Sequence, residues 1–65
     1  MLFDEEYRGY KIRYRRRRVW VANIWPPNAS FWLQEFPVAT MEEGRAVLEE
    51  RARALVDAHV SAVLG

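Results

Sequence analysis

Tyr10-Lys11-Ile12-Arg13-Tyr14-Arg15 decides the fold, because its apolar and cationic side chains alternate strictly. Successive side chains of a strand point to opposite faces, which puts Tyr10, Ile12 and Tyr14 on one face and Lys11, Arg13 and Arg15 on the other. Working outward, Val19 to Trp25 reads as a second strand, with Trp20, Ala22 and Ile24 opposed to Val21, Asn23 and Trp25. Pro26, Pro27, Asn28 and Ala29 interrupt it, since proline supplies no amide donor and asparagine suits a turn. A third strand is predicted from Ser30 to Phe36, with Phe31 and Leu33 opposed to Trp32 and Gln34. Both connections are short, so the simplest topology is an antiparallel meander.

The remainder reads as a helix. Thr40 and Glu43 have the capping-box spacing, and Glu42 and Glu43 suit the positive end of a helix dipole. Met41, Leu48, Ala52, Leu55, Val56, His59, Ala62 and Val63 recur at intervals of three and four, building one apolar stripe. Glu42, Glu49, Glu50, Arg53 and Asp57 occupy the other face, with Glu49 and Arg53 spaced for an i,i+4 pair. Gly65 is the expected stop. The fold class is therefore α+β: a three-stranded antiparallel meander with one C-terminal helix on one face, a single β-β-β-α domain over residues 1–65.

A chain of 65 residues buries only ~60% of the surface it exposes when unfolded, so one small core is the ceiling. It has no cysteine, hence no disulfide framework to support that core. No apolar run approaches the ~20 residues that span a bilayer, so the expectation is a cytoplasmic protein with no membrane role. With 51% hydrophobic residues, intrinsic disorder is excluded.

Nucleophilic or metal chemistry finds no support. His59 is the only histidine; Ser61 and Asp57 each stand two residues from it and diverge around a helix. It reads as a structural histidine near the helix carboxyl end. The glycines form no phosphate loop. No enzyme activity, cofactor, metal or small-molecule substrate is expected.

Charge is segregated along the chain. Residues 1–6 carry a net −3, residues 7–38 a net +6 and residues 39–65 a net −2, giving the formal total of +1. Arg15, Arg16, Arg17 and Arg18 fall at the tip of the expected first hairpin, where guanidinium groups suit bidentate contact with phosphate. One helix covers one sheet face, so Val19, Val21, Trp25 and Trp32 share the open face with Lys11, Arg13 and Arg15. Exposed tryptophan beside arginine is typical of binding surfaces. Met1, Leu2 and Phe3, with the acidic residues that follow, are placed to fold back over it.

Tyr7-Arg8-Gly9, Trp20-Val21-Ala22-Asn23-Ile24, Phe31-Trp32-Leu33-Gln34-Glu35-Phe36 and Thr40 with Glu42-Glu43 follow one another in an order that resembles the plant ethylene-response-factor type of DNA-binding domain. Phage integrase amino-terminal domains share that sheet and helix. The resemblance implies a sheet that enters the major groove, with Arg8, Lys11, Arg13 and Trp32 at contacting positions. Asn23, Trp25 and Ser30 replace a glutamate and two arginines of the family pattern. The same elements also resemble small uncharacterised bacterial β-β-β-α proteins, in which such residues describe packing.

Two functional expectations follow. The first is nucleic-acid binding, to DNA or RNA, through Arg8, Lys11, Arg13, Arg15, Arg16, Arg17, Arg18 and Trp32. The alternative is a homodimer or protein-interaction module that covers Val21, Trp25 and Trp32.

Overall fold

Arg8 and Gly9 have φ of 52° and 83°, the two positive values that a type I′ hairpin turn needs, and they join Tyr7 directly to Tyr10 across the first strand pair. The computed structural model describes residues 2–64; Met1, and Gly65 with the helix stop expected there, lie outside the described residues. Strand β1 (Leu2–Tyr7) pairs antiparallel with β2 (Tyr10–Arg16), which pairs with β3 (Trp20–Trp25), which pairs with the two-residue β4 (Val38–Ala39). The spatial order β1-β2-β3-β4 is a meander, followed by helix α1 (Gly44–Leu64).

The sheet has four strands, one of them short, rather than three. The acidic amino-terminal segment does not fold over the open face; it extends the sheet as β1. Opposite charges face each other directly, Asp4 against Arg13 and Glu6 against Lys11, which favours the pairing.

Ser30 to Phe36 does not form a strand. The Leu33 amide donates to the Ile24 carbonyl at 2.7 Å and the Ala22 amide to the Pro37 carbonyl at 3.1 Å. Four residues of the segment therefore span two of β3, and the excess bulges away from the ladder. Pro26 and Pro27 at its entry and Pro37 at its exit lack donors, and Asn28 turns the chain with φ of 59°. Pairing resumes only at Val38 and Ala39.

Tyr10, Ile12, Tyr14, Trp20, Ala22 and Ile24 are buried against Leu48, Ala52 and Val56 of the helix, with Ala39 beside them. Alternation along β2 and β3 thus assigned the inner face correctly. Each fully buried Ile, Leu or Val contributes ~1.5–3 kcal/mol relative to exposure. Leu33 packs against the same cluster, whereas Phe31, expected beside it, is 65% exposed.

The capping box forms in both directions. The Thr40 amide donates to Glu43 Oε1 at 2.9 Å and the Glu43 amide to Thr40 Oγ1 at 3.0 Å. It closes a separate turn, however, in which the Gly44 amide bonds the Thr40 carbonyl at 2.9 Å. Gly44 then adopts φ of 84°, a left-handed conformation natural to glycine, and the helix begins there. Met41 is consequently left outside the helix and half exposed. Ala62 and Val63, expected in the apolar stripe, are exposed as well. A 21-residue helix runs ~31 Å over strands of at most 7 residues, or ~23 Å, so its last turns overhang the sheet.

The charged helical residues do not all face solvent. Arg45, Glu49, Arg53 and Asp57, at i,i+4 steps, run beside β1. Arg45 lies 3.8 Å over the Phe3 ring, Arg53 pairs with Glu5, and Asp57 accepts from the Tyr7 hydroxyl at 3.0 Å and from Arg8 Nη1 at 2.8 Å. Steps of ~6.0 Å along a helix and ~6.8 Å along one strand face keep these partners in register. The expected Glu49–Arg53 pair is present at 3.5 Å.

Candidate nucleic-acid interface

Three cross-strand rows form the open face: Leu2-Arg15-Val21-Val38, Asp4-Arg13-Asn23 and Glu6-Lys11-Trp25. Beyond β3, the irregular segment holds Trp32 edge-to-face against Trp25, with ring centroids 5.3 Å apart and planes at 66°. Arg13 reaches over the other side of Trp25, 5.8 Å from its centroid. Trp32 remains 50% exposed. Leu33 turns inward and Trp32 outward, so those two neighbours divide between the faces as expected even though the backbone is not a strand.

Two shallow depressions meet at Trp25. One, of about 430 Å³, lies between β2 and the turn at Asn28, Ala29 and Ser30, with Lys11 and Arg13 on its wall. The other, of about 950 Å³, is floored by Trp25, Phe31, Trp32 and Leu33 and edged by Ser30 and Gln34. At the opposite end of the face Arg15, Arg17 and Arg18 rim a groove of about 670 Å³ over Val19 and Val21.

The expected contact residues separate into groups. Lys11, Arg13 and Arg15 line the open face of β2. Arg17 and Arg18 stand exposed in the loop to β3, while Arg16, still within β2, leans back towards the Trp20 ring at 5.8 Å. Arg8 is drawn to the helix side by Asp57 and stands apart from this face. Val21 and Trp25 are both partly buried on the open face. Asn23 is buried and accepts a hydrogen bond from Arg15 Nη2.

Asp4 and Glu6, like Leu2 and Val38, belong to this face although the sequence pattern did not assign them to it. Asp4 holds Arg13 through two hydrogen bonds of 2.8 and 3.1 Å, which keep its carboxyl below the usual carboxylate range. The acidic block of residues 1–6 followed by a Tyr-Arg-Gly-Tyr turn and a basic strand was the available signal, because opposite charges match strand to strand.

On the helix side most polar groups satisfy one another, although Arg53 Nε is buried without a hydrogen-bond partner. The Tyr14 hydroxyl donates to Glu5 Oε1 at 2.6 Å, and burial with this acceptor pushes the phenol pKa up. Burial also raises Glu5, but hydrogen bonds from Arg53 and Tyr14 outweigh it and hold the carboxyl below its ordinary value. His59 meets the Tyr10 hydroxyl through Nδ1, with the two rings edge-on at 5.5 Å. It serves the core boundary, as a structural histidine would.

Comparison of the chain with protein-family models, with curated proteins and with solved structures gave no match in any of the three. Among the described residues, no helix is long and apolar enough to cross a membrane.

Proposed function

We propose that this protein binds nucleic acid through the open face of its sheet and the arginine run that ends β2. One observation carries the reading. Arg8, Arg13, Arg45, Arg51 and Arg53 each form an ion pair with a carboxylate. Among the described residues, Arg15, Arg16, Arg17 and Arg18 have no such partner, although the chain carries 9 acidic residues. Uncompensated guanidinium groups concentrated at one end of an aromatic face attract a polyanion and release its counterions.

Anisotropy titrations of labelled DNA and RNA against salt test the reading. Neutralisation of about five phosphates by Lys11, Arg13, Arg15, Arg17 and Arg18 gives a log-log slope of roughly −3.5 to −4.5. Replacing Arg15, Arg17 and Arg18 by glutamine should reduce it to roughly −1.4 to −1.8. An unchanged slope, or absence of binding at low salt, refutes the assignment.

A second reading, association with another copy or another protein over Val21, Trp25 and Trp32, is favoured by the exposed Leu2, Phe31, Trp32 and Val38. It requires a concentration-dependent mass in sedimentation without nucleic acid.

A further inference from the structure

We infer that the nucleic acid accepted here is single-stranded: one phosphate backbone lies along Lys11, Arg13 and Arg15, and its bases turn across the end of β3 into the groove of Trp25, Phe31 and Trp32. This rests on the nucleic-acid reading above and adds the ligand's strandedness and the side of the face to which its bases turn.

The argument starts from the width of the cationic stripe. On the open face, Lys11, Arg13 and Arg15 form a single row along β2, at steps of ~6.8 Å. Strands lie ~4.8 Å apart. One strand to one side, Asp4 and Glu6 of β1 present carboxylates; one strand to the other, β3 presents Val21, Asn23 and Trp25, and β4 presents Val38. A duplex offers two phosphate backbones across a major groove ~12 Å wide. Two to three strands from β2 this face has no second basic row among the described residues, and β1 repels a backbone on the opposite flank. A single row of cations suits a single backbone.

The aromatic groups point the same way. Base faces are available for stacking only where bases are unstacked from one another, as in a single strand. Trp32 and Phe31 are exposed beside Trp25 at the Lys11 end of the row, since Lys11 is the direct cross-strand partner of Trp25. A backbone held at Lys11 and Arg13 therefore delivers its bases over β3 to that pair. Trp32, packed edge-to-face on Trp25, keeps half its surface open to a base, and Ser30 and Gln34 at the groove edge supply polar groups for base edges. The other end of the row leads to Arg17 and Arg18, which extend the phosphate path beyond the sheet.

The full chain is titrated with labelled single strands of about 12 nucleotides, as DNA and as RNA, and with the duplex of the same sequence. At equal salt the single strands should bind at least ~10-fold more tightly than the duplex and quench tryptophan fluorescence. Trp32→Ala should weaken single-strand binding by ~5- to 150-fold, the loss of one stacked base. Trp32→Phe, which keeps a ring, should retain most of the affinity, and far-ultraviolet circular dichroism of both variants reports folding. Equal or tighter duplex binding overturns the inference while leaving nucleic-acid binding intact. So does single-strand binding without quenching, or a folded Trp32→Ala variant with unchanged affinity. Failure of all three probes to bind removes both readings.

Discussion

Replacing Glu5 by alanine tests the docking of β1 against the helix. The Glu5 carboxylate accepts from Tyr14, whose side chain is fully buried, and from Arg53 across the helix-to-sheet gap. Its removal leaves the Tyr14 hydroxyl buried without an acceptor, which costs ~1–3 kcal/mol. The partly exposed Arg53 pair adds little, so the expected loss is about 2 kcal/mol. For a domain of this size each kcal/mol moves Tm by about 7 °C, giving a fall of roughly 15 °C. Thermal melts followed by circular dichroism at neutral pH provide the measurement. Tyr14→Phe removes the orphaned hydroxyl, so Glu5→Ala with Tyr14→Phe should be no less stable than Glu5→Ala alone. A fall below ~3 °C, or strictly additive losses, would show that β1 is not anchored through this carboxylate.

Asp4→Asn should leave stability almost unchanged and, by freeing Arg13, tighten nucleic-acid binding several-fold; weaker binding in the anisotropy titration would contradict the role of Arg13. Gly44→Ala should lower Tm by roughly 7 °C or more through its left-handed backbone, although its new Cβ meets nothing within 4 Å; an unchanged melt would argue against that turn. Glu43, held by Arg51 and by the Thr40 amide, has its pKa lowered from 4.5 to about 2. The unfolded chain thus binds more protons in that window, so this contribution is intact above about pH 4.5 and lost as pH falls towards 2. Glu43→Gln should flatten the acid limb of a pH-unfolding curve, and an identical limb would remove Glu43 from the account.

Where one rule governed, the chain was readable. Alternation in Tyr10 to Arg15 and in Trp20 to Trp25 set the inner and outer faces, and the helical spacing of Leu48, Ala52 and Val56 set the buried stripe. Residues 2–7 concealed a strand, because a strand carrying Asp4, Glu5 and Glu6 lacks the apolar alternation used to detect one, and part of its support, from Arg53 and Asp57, comes from residues about fifty positions away. Ser30 to Phe36 misled in the opposite sense: alternating aromatics signalled a strand, while the flanking prolines and the excess length relative to β3 prevented a ladder. The capping box was visible, but whether Gly44 continues a helix or begins one depends on backbone geometry that residue spacing does not carry. On the open face, the placement of Lys11, Arg13, Arg15 and Trp25 followed from β-sheet parity. The departure of Arg8 towards Asp57 depended on tertiary docking.

The position of β1 at the outside of the sheet bears on aggregation. An outermost strand offers unused amide and carbonyl groups to any second strand that comes alongside. Two copies of β1 joined antiparallel with faces matched meet in registers that set Asp4 against Asp4, or Asp4 against Glu6 and Glu5 against Glu5. Like charges directly opposed disfavour such a ladder. The run that binds Arg13 and Arg53 within one molecule therefore also repels its own counterpart, discouraging a sheet from continuing from molecule to molecule.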